Sequence, residues 1–597
     1  MEQTLERLTG RLPAWARGWP RRRILAAAAV VVLVVVLAVS CGGGAGGRAD
    51  VPVVGGGTDA AVTGVRAPST AHGGTLRVVS ADVDSLDPQR SYLPGVWNLM
   101  RLYTRTLVTY ASARGRTGEL VPDLATDLGK PSKDGRSWTF TLRKGLKFEN
   151  GRPITSRDVK YGIERSFASD VVVGGPTYVV DQLDDPANPY PGPYQDPTRN
   201  HLGLSTIQTP DDATIVFKLR SPQPDFPYVM ALPSSSPVPA ASDTRAKYGL
   251  DPVSSGPYAI TSVDPVAGIV LDRNKQWDPA TDKVRTALPD RIVVRTGLSG
   301  LERDQALLAG SADVDISGAG VQTPTTARTT GDDGAALRQR IDDVTTGAVR
   351  MLALPTTVAP LDDPHCRAAV AAALDRRALQ GLLGGAADAV RSSELWPHGL
   401  PGGPSEPDPR PDPTAARAAL KACGKPHGFS TVLAVVDAPA TVDLAHGVAE
   451  QLGRVGITVK VQPLDASTFY AIDVGKPANV VKQGYGMVLT TWTADFPTPG
   501  SFLAPLLDDR AHRKVGNTDY AQLNDPTIDA LIDKARAAGD AGTARARWRD
   551  VAAAARATSA YLPLAETRVQ LVAGERLRNG LVMPPYGGYD LATAGVR

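Results

Sequence analysis

The chain is poor in the residues that usually announce chemistry. It has three cysteines in 597 residues, Cys41, Cys366 and Cys423, and no pair with CxxC spacing. That excludes a zinc finger or a thioredoxin-type centre. Its seven histidines stand at 72, 201, 365, 398, 427, 446 and 512, without metal-ligand spacing, so no metal site is expected. No GxSxG, HExxH or GxxxxGK[ST] occurs, which leaves hydrolase and NTPase readings without an anchor. Asp84 and Asp87 have the residue types of a glycosidase pair, but two acids on one loop are usually solvated or capping. Charge is balanced too, 65 basic residues against 62 acidic ones, so nucleic acid has no electrostatic footprint to bind. Neither an enzyme nor a cofactor protein is expected.

What is present is an ordinary globular composition, 42% apolar and 21% charged, in a chain long enough for two to four domains or lobes. Forty-nine prolines and fifty-nine glycines argue for many turns and against a helical bundle. The amino terminus differs in kind. Arg21, Arg22 and Arg23 precede ILAAAAVVVLVVVLAVS, then Cys41 and three glycines. A basic stretch, an apolar core and small residues describe a secretory signal, and this core is marginal for spanning a hydrocarbon layer of ~30 Å. LAVSC resembles a lipoprotein signal, with Cys41 as the lipid-modified residue, but leucine stands four residues before the cysteine and Ala38 three before. The alternative is an uncleaved membrane anchor. Either places the remainder outside the cytoplasm, where Cys366 and Cys423 are expected to pair; the other reading is two buried thiols. Residues 42–71 are rich in Gly, Ala and Thr without apolar periodicity, and are expected to be a flexible tether.

Along the body, DGRSWTFTLRKGLKFENGRPITSRDV (134–159) is the most strongly patterned stretch. Trp138, Phe140 and Leu142 alternate as in a half-buried strand. Leu146-Lys147-Phe148 reads as a second strand, Asn150-Gly151 as a turn, and Thr155 as a helix N-cap three residues before Asp158. Residues 75–80 and 213–219 read as strands, and 97–109 has helical spacing. Beyond about residue 350, GFSTVLAVVDAP, TVDLAHGVAEQLGRVG and ITVKVQPLD form a βαβ unit, whose strands should be parallel. YGMVLTTW is a further strand.

These residues carry a resemblance. The stretch from 134 onward is similar to the signature region of the extracytoplasmic solute-binding proteins of peptide and nickel ABC importers. LDP at 86–88, ELVPDLA at 119–125, SSGPYAI at 254–260, LDDPHCRAAVAAALDRRAL at 361–379, TWTADFPTPGSFL at 491–503 and DPTIDALIDKA at 525–535 follow in that family's order. The resemblance implies an α/β fold of two lobes closing over a ligand, with an extra subdomain on lobe 1. The expected division is signal or anchor 1–41, tether 42–71, lobe 1 in 72–118 and 251–350, extra subdomain 119–250, lobe 2 in 351–565, and a return segment 566–597 to the sheet of lobe 1. The lobes should hinge near 345–355 and 560–570.

The same resemblance implies a monomeric binding protein that delivers peptides to a membrane permease. It leaves open a non-peptide cargo such as nickel, haem or sugar, and a role as a surface sensor. Asp495 matches the carboxylate that takes a peptide's α-amino group; its plain alternative is a cap for the turn at Pro497. Trp492 matches a cleft aromatic, or is a core tryptophan, and Thr493 follows the same strand. Tyr92 and Leu93 fall in the loop expected to pair with peptide backbone. Peptide binders of the family can carry an arginine shortly before the Trp-x-x-Asp segment, but here Leu489-Thr490-Thr491 supplies none.

Overall fold

The computed structural model describes residues 58–597, apart from 186, 199, 265–266, 331–333, 401–408, 513 and 515. The signal-like segment with Cys41, and the tether as far as residue 57, lie outside the described residues. Among the described residues no helix is long and apolar enough to cross a membrane.

Residues 58–71 correct the expected tether. Ala60–Thr63 form a helical turn with Ala60 and Ala61 buried. Arg66 is buried against Asp342 at 2.9 Å, and Tyr589 donates to the same carboxylate at 2.6 Å. Composition hid this, because the ordering comes from one arginine whose partner lies 276 positions away.

Lobe 1 is built on a five-stranded sheet in the order Val314–Asp315, Thr75–Val79, Arg291–Arg295, Gly268–Arg273, Tyr258–Asp264. Thr75–Val79 runs parallel to both neighbours, and the remaining pairs are antiparallel. Helix Pro94–Tyr103 starts on a proline, whose missing N–H costs nothing there, and it buries Trp97, Leu99, Met100 and Leu102 in the core. The helical spacing expected to 109 stops at Tyr103. Thr104 is extended, and Val108–Tyr110 pairs instead with Leu120–Pro122.

Inside the 119–250 stretch lies a four-stranded antiparallel sheet, in the order Lys130–Pro131, Ser137–Thr141, Thr214–Lys218, Ile207–Gln208. Trp138 and Phe140 are buried as their alternation predicts. Phe140 meets Phe217 at 5.9 Å, and Phe217 meets Phe226 at 5.1 Å, both edge to face. Thr155 and Asp158 close a capping box on helix Ser156–Arg165. The second strand expected at 146–148 shrinks to one bridge, Lys147 to Pro153, because proline has no N–H to extend a ladder.

Lobe 2 carries a six-stranded sheet in the order Ala389–Arg391, Tyr561–Val572, Ile341–Ala353, Met487–Trp492, Ser430–Val436, Thr458–Leu464. Ser430–Val436 and Thr458–Leu464 are parallel and joined by helix Pro439–Gly453, whose Leu444, Val448 and Leu452 are fully buried. Cys366 and Cys423 form a disulfide with Cα atoms 5.5 Å apart. It joins helix Pro364–Ala373 to the end of helix Pro413–Ala422.

Two strands pass between the lobes. Ile341–Ala353 and Tyr561–Val572 are antiparallel from Ile341 opposite Val572 to Ala353 opposite Tyr561, and the register breaks between Thr345 and Val349. Val349, Met351 and Ala353 belong to the core of lobe 2; Val344 and Leu571 belong to that of lobe 1. The expectation that 566–572 joins the sheet of lobe 1 is thereby corrected. The backbone of this segment pairs with Ala389–Val390 and Val349 at its start and with 341–345 beyond, and it meets lobe 1 outside that lobe's sheet, where Val321 N–H donates to Gln570 O at 2.8 Å and Gly574 N–H to Asp313 O at 2.9 Å.

Candidate functional site

Between the lobes lies a cavity of about 790 Å³, within the range of ~300–1,000 Å³ that encloses a small ligand. Three wall segments follow the carboxyl ends of strands: 80–82 after Thr75–Val79, 316–319 after Val314–Asp315, and 493–497 after Met487–Trp492. That is where α/β sheets leave their strand ends open for ligands. The floor is the register break of the two crossing strands, with Gly347 at φ +75°. A side chain there would strain the backbone.

Asp495 stands at this cavity, on lobe 2. Its Oδ2 accepts a hydrogen bond from the Tyr92 hydroxyl at 2.9 Å and another from the Tyr178 hydroxyl. Both tyrosines belong to the other half of the molecule, so one carboxylate oxygen ties the two lobes. No basic side chain among the described residues bonds this carboxylate. Burial pushes its pKa up, and the tyrosine hydrogen bonds oppose that shift without cancelling it.

The adjoining residues form a docking plug. Phe496 is buried and packs edge-on against Tyr178 at 5.3 Å and stacks on Tyr228 at 5.8 Å. Thr498 donates to Asp225 at 2.7 Å, and burial raises the Asp225 carboxyl to about 6. Tyr178, Asp225 and Tyr228 all come from the extra subdomain. None was marked by sequence patterning, since each makes its contact across roughly 270–320 positions.

The loop carrying Tyr92 is held from behind. Arg165 is fully buried and grips Asp87 through two hydrogen bonds, 2.7 and 2.8 Å. Asp243 lies 3.2 Å from the same guanidinium, and these acids hold the arginine pKa up against its desolvation. Asp84 accepts from Ser91 Oγ at 2.8 Å and from Tyr92 N–H at 2.6 Å. The two acids that had the residue types of a glycosidase pair are thus anchors for the loop.

The structure brings Leu93, Thr493 and Asp495 to the cavity wall, and Tyr92 touches it through Asp495. Trp492 is not among the residues lining the cavity. Its indole N–H donates to Phe502 O at 3.0 Å and its ring packs on the core of lobe 2, the plain alternative for that residue. Among the described residues, Asp508, Asp509 and Asp529 form the one carboxylate group close enough to share a cation. Asp508 is already bonded to Arg510 and Arg536.

The model of the bacterial extracellular solute-binding proteins, family 5, matches residues 119–513. A solved structure, the clavulanic acid biosynthesis oligopeptide binding protein 2, is 40% identical with a TM-score of 0.86, covering 91% of this chain and 99% of that one. The probable D,D-dipeptide-binding periplasmic protein DdpA of Escherichia coli K12 is 25% identical over 85% of this chain and 90% of its own length. DppA from Helicobacter pylori in complex with the peptide STSA shares the fold at a TM-score of 0.63 and 20% identity, over 87% of this chain and 98% of that one. With matches of this extent, the chain belongs to the family-5 bacterial extracellular solute-binding proteins.

Proposed function

We propose that this protein captures peptides with a free amino terminus in its interlobe cavity and presents them to an ABC permease at the outer face of the membrane. The observation that carries this reading is Asp495, an acid at the cavity wall with no basic partner among the described residues. An ammonium group arriving there removes the desolvation penalty that raises its pKa. The names of the relatives, two of them peptide-binding and one solved with a peptide, support the same cargo.

Capture follows from where the contacts lie. Leu93 and Ile316 belong to one lobe, Thr493 and Asp495 to the other. A ligand touching both favours the closed arrangement by as much as it binds closed better than open. The bend falls at residues 346–348, where the ladder between the crossing strands is interrupted. The protein is proposed to act as a monomer, held at the membrane by a lipid on Cys41 or by its apolar segment, with ATP hydrolysed on other chains.

Calorimetric titration of the full chain in detergent with Ala-Ala-Ala and N-acetyl-Ala-Ala-Ala tests the reading. Asp495→Asn is expected to lose about 3–5 kcal/mol with the free peptide, roughly two to four decades in affinity. The acetylated peptide should bind the wild type as weakly as the free peptide binds the variant. Equal binding of free and acetylated peptide removes Asp495 from the amine-clamp role and makes a non-peptide cargo the better reading.

A further inference from the structure

The charged side chains lining the cavity are both acidic: Asp82 and Asp495. No lysine, arginine or histidine among the described residues lines it. Basic residues adjacent in sequence to the wall are engaged elsewhere: His398, between Pro397 and Gly399, has its Nδ1 2.7 Å from Glu566 Oε2. Arg116, beside Thr117, is paired with Glu119 at 2.8 Å, and Arg568, between Thr567 and Val569, donates to Ala386 O at 3.2 Å. Residues 401–408, which follow the wall residue Leu400, read PGGPSEPD and add no basic side chain.

Asp82 is exposed and its backbone is held, with Ser80 Oγ donating to the Asp82 carbonyl at 2.8 Å. Its Oδ1 accepts from the neighbouring Val83 N–H at 2.8 Å, and no salt bridge to it occurs among the described residues. Resting on the peptide reading above, we infer that the cleft selects peptides of net positive charge, Asp495 receiving the amino terminus and Asp82 a basic side chain. Two acids with no counter-charge give the cavity a negative potential, which low-dielectric walls focus. A ligand carboxylate entering it meets no cation, and a ligand with two positive groups joins an acid of each lobe. The absence of an arginine before the Trp-x-x-Asp segment is part of the same design: the carboxyl end of the peptide needs no partner here.

The full chain, titrated in detergent with Ala-Lys-Ala, Ala-Ala-Ala and Ala-Glu-Ala, is expected to rank them in that order, with about tenfold between successive peptides. Amidating the carboxyl terminus of Ala-Lys-Ala should not weaken it. Asp82→Asn should reduce the lysine preference to less than about threefold and leave Ala-Ala-Ala within about twofold of wild type. Equal affinities in the wild type, a loss of more than tenfold on amidation, or a lysine preference of full size in Asp82→Asn each overturn the inference, while the peptide reading stands. If no tripeptide binds, the peptide reading falls, and 1,4-diaminobutane against succinate decides the charge selectivity: measurable binding of the diamine alone supports it, and any other result overturns it.

Discussion

Asp87 is buried and Asp495 is half-buried at the cavity wall, and the protein completes one and leaves the other open. Asp87 belongs to the scaffold of lobe 1 and is gripped by a buried guanidinium through two short hydrogen bonds. Asp495 belongs to the cleft and has only neutral hydroxyls on one of its oxygens. The pattern extends further. Asp123 lies between Arg105 at 2.7 Å and Arg285 at 2.9 Å, and Asp342 is paired with Arg66. A buried charge that supports the fold has its opposite built in. The cleft acid without one fits the proposed reading, in which its counter-charge comes with the ligand.

The sharpest way to break this comparison is Arg165→Met. It strands Asp87 and Asp243 without their cation, so the loss in unfolding free energy should be about 3–5 kcal/mol, measured by urea denaturation. A loss below ~1 kcal/mol would mean that scaffold and cleft acids do not differ. Asp225→Asn, at the contact between lobes, should act with the opposite sign. The Asp225 carboxyl is raised to about 6 in the folded chain, so the folded form holds its proton more tightly than the unfolded chain. The wild type therefore gains stability as pH falls through about 6 towards the ordinary carboxylate range, and at pH 7 it bears a desolvated charge. The amide has no charge to desolvate. The variant should be more stable at pH 7 by about 1–2 kcal/mol, and the gap should close by about pH 4.5 in melting scans; a constant gap would assign the effect to packing. Smallest is the resting effect of Asp495→Asn. It should change the ligand-free stability by less than about 1 kcal/mol, whereas a large loss would make Asp495 one more structural acid.

How much of this was legible depends on distance along the chain. The βαβ unit, the alternation of Trp138 and Phe140, and the Thr155–Asp158 cap are local patterns, and each folds as its period or spacing dictates. Asp495 was reachable because it follows a strand end directly. Tyr178 was not: YVVDQL is an unremarked short helix, and its phenol matters only through a residue 317 positions on. The strand Tyr561–Val572 was correctly a strand in sequence, but period alone cannot say which ladder it enters, and its partner is the other crossing strand. Trp492 shows a third limit. A tryptophan beside a cleft loop has two faces to choose from, and here its indole N–H reaches the Phe502 carbonyl on the lobe 2 side.

The buried Arg66–Asp342 pair has a mechanical side. It sits at the foot of the crossing strands, on the lobe 1 side of the register break, and residues 58–66 are fastened there with it. Thr58, where the described chain begins, is itself bonded to Arg338 O on the lobe 1 side. A pull applied through that end is taken up before the bend and does not load lobe 2.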